Sequence, residues 1–186
     1  MQKGVVSAAG VFATATLVAG SVVLAQSPRF GVGHAPTEAD TRSLGVMVAP
    51  DGTGLPPGSG TAVEGKQIFA ARCASCHGAS GEGGDGPALV GGRGTLATPR
   101  PKKTVGSYWP YATTLWDYVN RAMPFNQPGS LNYHEVYALS AYVLFLNDLF
   151  SESAELNAKN LPQIRMPNRD GFISDPRPDV PPSRRE

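Results

Sequence analysis

The sequence predicts an all-α domain set between a long irregular leader and a long irregular tail. Three observations carry that expectation. Two stretches open with a helix-capping pair, Thr61 with Glu64 and Asn132 with Glu135, and continue with apolar residues at three- and four-residue spacing. The alternation of strand and helix signals that marks an α/β chain is absent. With 22 Gly and 17 Pro in 186 residues, much of the remainder has to be irregular.

Residues 1–25 hold one charge, Lys3, ahead of an uncharged small-residue apolar stretch that ends Val23-Leu24-Ala25. This reads as a secretion signal cleaved after Ala25. The stretch is also long enough to span a bilayer, so a retained membrane anchor is the alternative, although its Gly, Ala, Ser and Thr content argues against it. Residues 26–60 form an extended polar leader that closes with Asp51-Gly-Thr-Gly-Leu-Pro-Pro-Gly-Ser-Gly60. The domain is expected over 61–150. Residues 151–186 are Pro-rich, with little apolar periodicity beyond Leu161, Ile164 and Met166, and are expected to lie over the domain or a partner instead of folding alone. A formal net charge of +1 gives no reason to expect nucleic acid as a partner.

Within the domain, the first helix is expected over 61–72, with Thr61 as cap and Val63, Ile68 and Phe69 on its apolar stripe, delivering the chain into Cys73. A glycine-dense loop covers 78–92, where backbone can approach a flat ligand closely. A helix over 115–122, capped by Thr113 or Thr114 and ended by Pro124, places Met123 at a helix-to-loop exit. The longest helix is expected over 133–149, with Val136, Leu139, Tyr142, Val143, Leu146 and Leu149 on a broad apolar face.

The chain has two cysteines, and they stand in Cys73-Ala-Ser-Cys76-His77. That spacing suits thioether attachment of one haem to both sulfurs, with the adjacent imidazole as axial iron ligand. A thioredoxin-type pair would need an α/β setting, and a zinc site would need two further ligands nearby, whereas His34 and His134 are distant in sequence. For an electron carrier the iron needs a second strong ligand. Met123 is the candidate, ahead of Met166, Met47, His134 and His34; a thioether favours the reduced ion and hence a comparatively high potential. Around this centre, the Pro87 carbonyl can accept the Nδ1 proton of His77, an ordinary turn proline being the alternative. Arg93, Tyr108, Trp109 and Tyr111 can supply donors to the haem propionates, or simply pack.

Gly65-Lys-Gln-Ile-Phe69, Gly86-Pro87-Ala-Leu89, Ala122-Met123-Pro124 and Leu139-Ser-Ala-Tyr142 resemble class I c-type cytochromes over about residues 61–150. The resemblance implies a small all-α fold whose first and last helices cross, here through Gly65 and Phe69 against Tyr142, with His77 and Met123 as iron ligands. A narrower resemblance comes from Leu55-Pro-Pro-Gly-Ser-Gly60, the run from Tyr108 to Tyr118, Ala122-Met-Pro-Phe125 and the run from Leu161 to Gly171. These are similar to the cytochrome subunit of bacterial sulfite and sulfane dehydrogenases of the sulfur-oxidation system.

That likeness implies a periplasmic electron-transfer protein, not an enzyme in its own right. It would take electrons from a molybdenum-cofactor partner and pass them to a downstream cytochrome or oxidase. One departure is that the chain carries a single Cys-x-x-Cys-His, where that subunit often carries two. The rival functions are a general periplasmic carrier feeding a terminal oxidase, and a haem enzyme or sensor with an open sixth position, which would require Met123 to be off the iron.

Overall fold

The computed structural model describes residues 33, 35–43, 45–173 and 175. The secretion signal expected over 1–25, and His34, lie outside the described residues. In chain order the elements are α1 (Glu38–Ser43), β1 (Ser59–Gly60), α2 (Ala62–Arg72), α3 (Ala74–His77), α4 (Ala112–Ala122), α5 (Tyr133–Leu146), β2 (Leu156–Asn157) and a 3-10 turn, Leu161–Gln163.

Both capping pairs form as expected. Glu64 N–H donates to Thr61 Oγ1 while Thr61 N–H donates to the Glu64 carboxylate at 2.7 Å, and Glu135 and Asn132 make the same reciprocal pair. Local chemistry therefore sets where α2 and α5 begin. Helix α5 is buried on all sides from 136 to 144, which makes it the axis of the core.

Helices α2 and α5 cross where Gly65 meets Ala138. A Cβ on Gly65 would lie 2.0 Å from the Ala138 carbonyl oxygen and 2.8 Å from Tyr142 Cβ, so the missing side chain is what lets the backbones approach. One turn on, Phe69 packs edge-on to Tyr142 with ring centroids 5.3 Å apart. Burying a side chain such as Phe69 contributes roughly 1.5–3 kcal/mol. On the other flank, Trp116 of α4 packs against Tyr133 and Tyr137.

Helix α4 starts earlier than the sequence suggests, with Tyr111 as N-cap and no side-chain cap bond. Thr113 lies inside the first turn, and its hydroxyl donates to the Pro50 carbonyl at 3.2 Å. A tertiary bond to the leader has replaced the local cap. Helix α5 ends at Leu146, short of Leu149, because Asn147 caps it and Asp148 takes a left-handed conformation, φ 57°.

The leader and tail are more structured than their composition suggests. Val46, Val48 and Leu55 of the leader pack against the core. Asp117 of α4 accepts from the Val48 N–H at 3.0 Å and is paired by Arg121. From the tail, Leu156 pairs with Gly60 in a two-stranded antiparallel ladder, and Leu156, Leu161 and Met166 are all buried in the core. The packed core thus reaches past the expected 61–150 limits at both ends.

Candidate cofactor site

Cys73 is shared by two helices, serving as C-cap of α2 and N-cap of α3. Its carbonyl accepts from Cys76 N–H at 3.1 Å and His77 N–H at 3.0 Å, so one turn carries both sulfurs and the imidazole. The two sulfurs are not joined in a disulfide; Cys76 is exposed and Cys73 is half-buried. Burial pushes the Cys73 thiol up to about 11, with Arg72 opposing.

After His77 the glycine loop turns back on the same turn. Gly78 reverses the chain at φ 81°, Gly83 N–H donates to His77 O at 2.7 Å, and Gly86 N–H donates to Cys76 O at 2.8 Å. This lacing brings the Pro87 carbonyl to 2.8 Å from His77 Nδ1. A carbonyl can only accept, so the proton sits on Nδ1 and the Nε2 lone pair is left for a metal. Gly86 lies close against the ring, where a Cβ would stand 3.1 Å from Nδ1 and from Cε1. Met123 is the C-cap of α4, half-buried, with its N–H on Val119 O at 3.3 Å and the buried Pro124 behind it. Half-buried Ile68, Leu89, Trp109, Val119 and Leu146 supply apolar side chains that a flat macrocycle could cover. Two sulfurs and a tautomer-fixed imidazole on one turn, a thioether at a helix exit, and these apolar flanks are a donor set that fits haem.

A family model described as Cytochrome c matches residues 62–147. The solved structure of the sulfane dehydrogenase SoxCD from Paracoccus pantotrophus contains a chain 42 % identical to this one, with a TM-score of 0.72 over 81 % of this chain and 75 % of that chain. The chain belongs to the cytochrome c family. No protein of curated function matches it. Membership makes it a covalent haem c protein whose work is electron transfer, and the crossed α2 and α5 are those of the class I cytochrome c fold. Among the described residues, no helix of this cytochrome is long and apolar enough to cross a membrane, and no cluster of three His, Cys, Asp or Glu could hold a separate metal ion.

The remaining candidates are dispersed. Met166 is 1 % exposed inside the core, Met47 lies on the surface, and exposed His134 donates from Nδ1 to the Ser59 carbonyl at 3.0 Å, tying α5 to β1. The expected propionate donors do not form one cluster. Arg93 sends its Nη2 to the Asn147 carbonyl at 2.7 Å. Tyr111 lies under the Arg169 guanidinium, 4.3 Å away, and Tyr108 lies between Lys103 and Phe172. Trp109 packs edge-on to Tyr118, one turn before Met123. Sequence reasoning missed Asn147, a buried residue that bonds Arg93, Val143 and Leu89; its one signal was an Asn following the last apolar turn of a helix.

Proposed function

We propose that this cytochrome is the monohaem electron-transfer subunit of a periplasmic molybdenum-cofactor enzyme that oxidises sulfite or sulfane sulfur, handing single electrons to a downstream cytochrome or oxidase. The observation that carries the reading is the 42 % likeness to a chain of a sulfane dehydrogenase over 81 % of this chain, a span that includes leader and tail as well as the haem domain. Residues 1–25 are its export signal.

In this reading Cys73 and Cys76 anchor one haem, and His77 and Met123 are the axial ligands. When bound, the haem supplies a one-electron iron couple. The chain's own residues then set that couple: the Pro87 carbonyl strengthens donation by His77, and the Met123 thioether favours the reduced ion.

The loop after Met123 is the face offered to the partner. Residues 122–131 carry no charge, and Phe125 at its tip is 84 % exposed. Arg72 holds the loop still, donating to Ser130 Oγ at 2.7 Å and to Gln127 Oε1 at 3.5 Å. An exposed aromatic at the tip of a loop with no charged residue of its own is suited to seat in an apolar recess.

The test is stopped-flow mixing of the purified cytochrome with the co-encoded molybdenum enzyme and sulfite. One-electron reduction of each chain supports the reading. A cytochrome that ascorbate reduces, but that enzyme and sulfite leave oxidised, would contradict it.

A further inference from the structure

Asn147 holds the haem-side loop as well as ending a helix. It is 6 % exposed, and its buried amide has two N–H groups to satisfy. One reaches Val143 O, four residues back in α5, at 2.9 Å; the other crosses to Leu89 O at 3.2 Å. Its main-chain carbonyl accepts Arg93 Nη2 at 2.7 Å. Gly106 is pressed so close that a Cβ there would lie 2.0 Å from Asn147 Oδ1, which leaves the amide little freedom to turn away.

The position of Leu89 gives these bonds their meaning. Pro87 lies between Gly86, whose N–H is on Cys76 O, and Leu89, whose N–H is on Gly81 O at 2.8 Å. Those bonds tie the loop to the Cys76–His77 turn and to itself, and none of them reaches α5, so on their own they leave the Leu89 end of the loop free to shift against that turn. Asn147 fastens this stretch to the end of α5 at Leu89, and Arg93, four residues further on, makes a second tie to the same residue. A plain helix cap would need the Val143 bond alone.

We propose that Asn147 is a positioning residue for His77: by fastening Leu89 and Arg93 to the end of α5, it holds the Pro87 carbonyl on Nδ1 and so sets the electron donation of the imidazole. The proposal rests on His77 as the iron ligand. Loosening the clamp weakens the Nδ1–H···O bond and makes the ring a poorer donor. Ferric iron is then less favoured, and the potential rises.

The experiment uses the holoprotein and three variants, N147S, N147A and R93A. Serine can still donate back to the Val143 carbonyl within the helix but cannot span to Leu89. The readouts are the exchange rate of the His77 Nδ1 proton by NMR and the midpoint potential, with thermal stability recorded beside them. The expected result is exchange about fivefold faster and an upward potential shift in both N147S and N147A, with a smaller shift of the same sign in R93A. The proposal is overturned if N147S keeps wild-type exchange and potential while N147A merely loses stability. Failure of the ligand assignment has its own signature, because the unmodified protein's His77 Nδ1 proton would then carry no haem-induced shift.

Discussion

The α2–α5 crossing and the loop from His77 to Arg93 sit side by side but are held by different means. At the crossing, apolar side chains are buried around a glycine contact, and the backbones nearly touch. Apart from buried Gly81 the loop is exposed or half-buried, and it buries few side chains. It is shaped by a succession of hydrogen bonds, from Gly83 to His77, from Gly86 to Cys76, from Leu89 to Gly81 and from Asn147 to Leu89. The first region responds to volume and the second to donors and acceptors. Stability should therefore be concentrated at the crossing, and the tuning of the iron in the loop.

The largest expected effect is at the crossing. Gly65→Val puts a branched side chain where even a Cβ would be 2.0 Å from a backbone oxygen. It should cost more than about 4 kcal/mol in denaturant melts. A variant that melts like wild type would show that the contact is not tight.

Next comes an alkaline loss of stability from Tyr137, which is fully buried and donates to the Pro56 carbonyl at 3.0 Å. Burial raises its phenol from 10.0 to about 12, so the fold keeps a proton that the unfolded chain releases. The contribution is complete below pH 10 and fades as the pH approaches 12, a loss of about 2 kcal/mol. Thermal melts across that range should show the extra decline in wild type and its absence in Y137F.

In the loop, Gly86→Ala should invert the pattern. The added methyl group meets the His77 ring at 3.1 Å, close enough to displace it by a few tenths of an ångström. Stability should fall by only about 1 kcal/mol, while the midpoint potential moves measurably. An unchanged potential would separate the loop from the iron. The smallest effect belongs to Thr61→Ala, which removes one cap bond of α2 and should cost about 1 kcal/mol or less, with no change in potential.

The same contrast explains what could be read from the sequence. Helices α2 and α5 announce themselves because their caps are local, three residues apart. The Cys73-to-His77 turn is local too, and Pro87 is close enough to His77 for their bond to be expected. Helix α4 began early because Thr113 bonds to Pro50, far away in the chain.

The tail hid its core residues because Leu156, Leu161 and Met166 are single anchors separated by turns. Asn157 and Asn160 bond each other's backbone there, and no periodicity survives. Arg93 carries a charge that suggests a propionate, yet its partner is a carbonyl at the end of α5, a contact that no spacing encodes.

The central claim is that His77 and Met123 hold the iron of a haem fixed to Cys73 and Cys76. The most direct measurement is the far-red absorption of the oxidised protein, taken for wild type and for Met123→Ala. The account predicts a weak charge-transfer band in wild type. In the variant the band should vanish, and the potential should fall by a sizeable part of the roughly 0.8 V range that axial ligands command. A wild-type spectrum that is high-spin, or a band that survives the substitution, would contradict it.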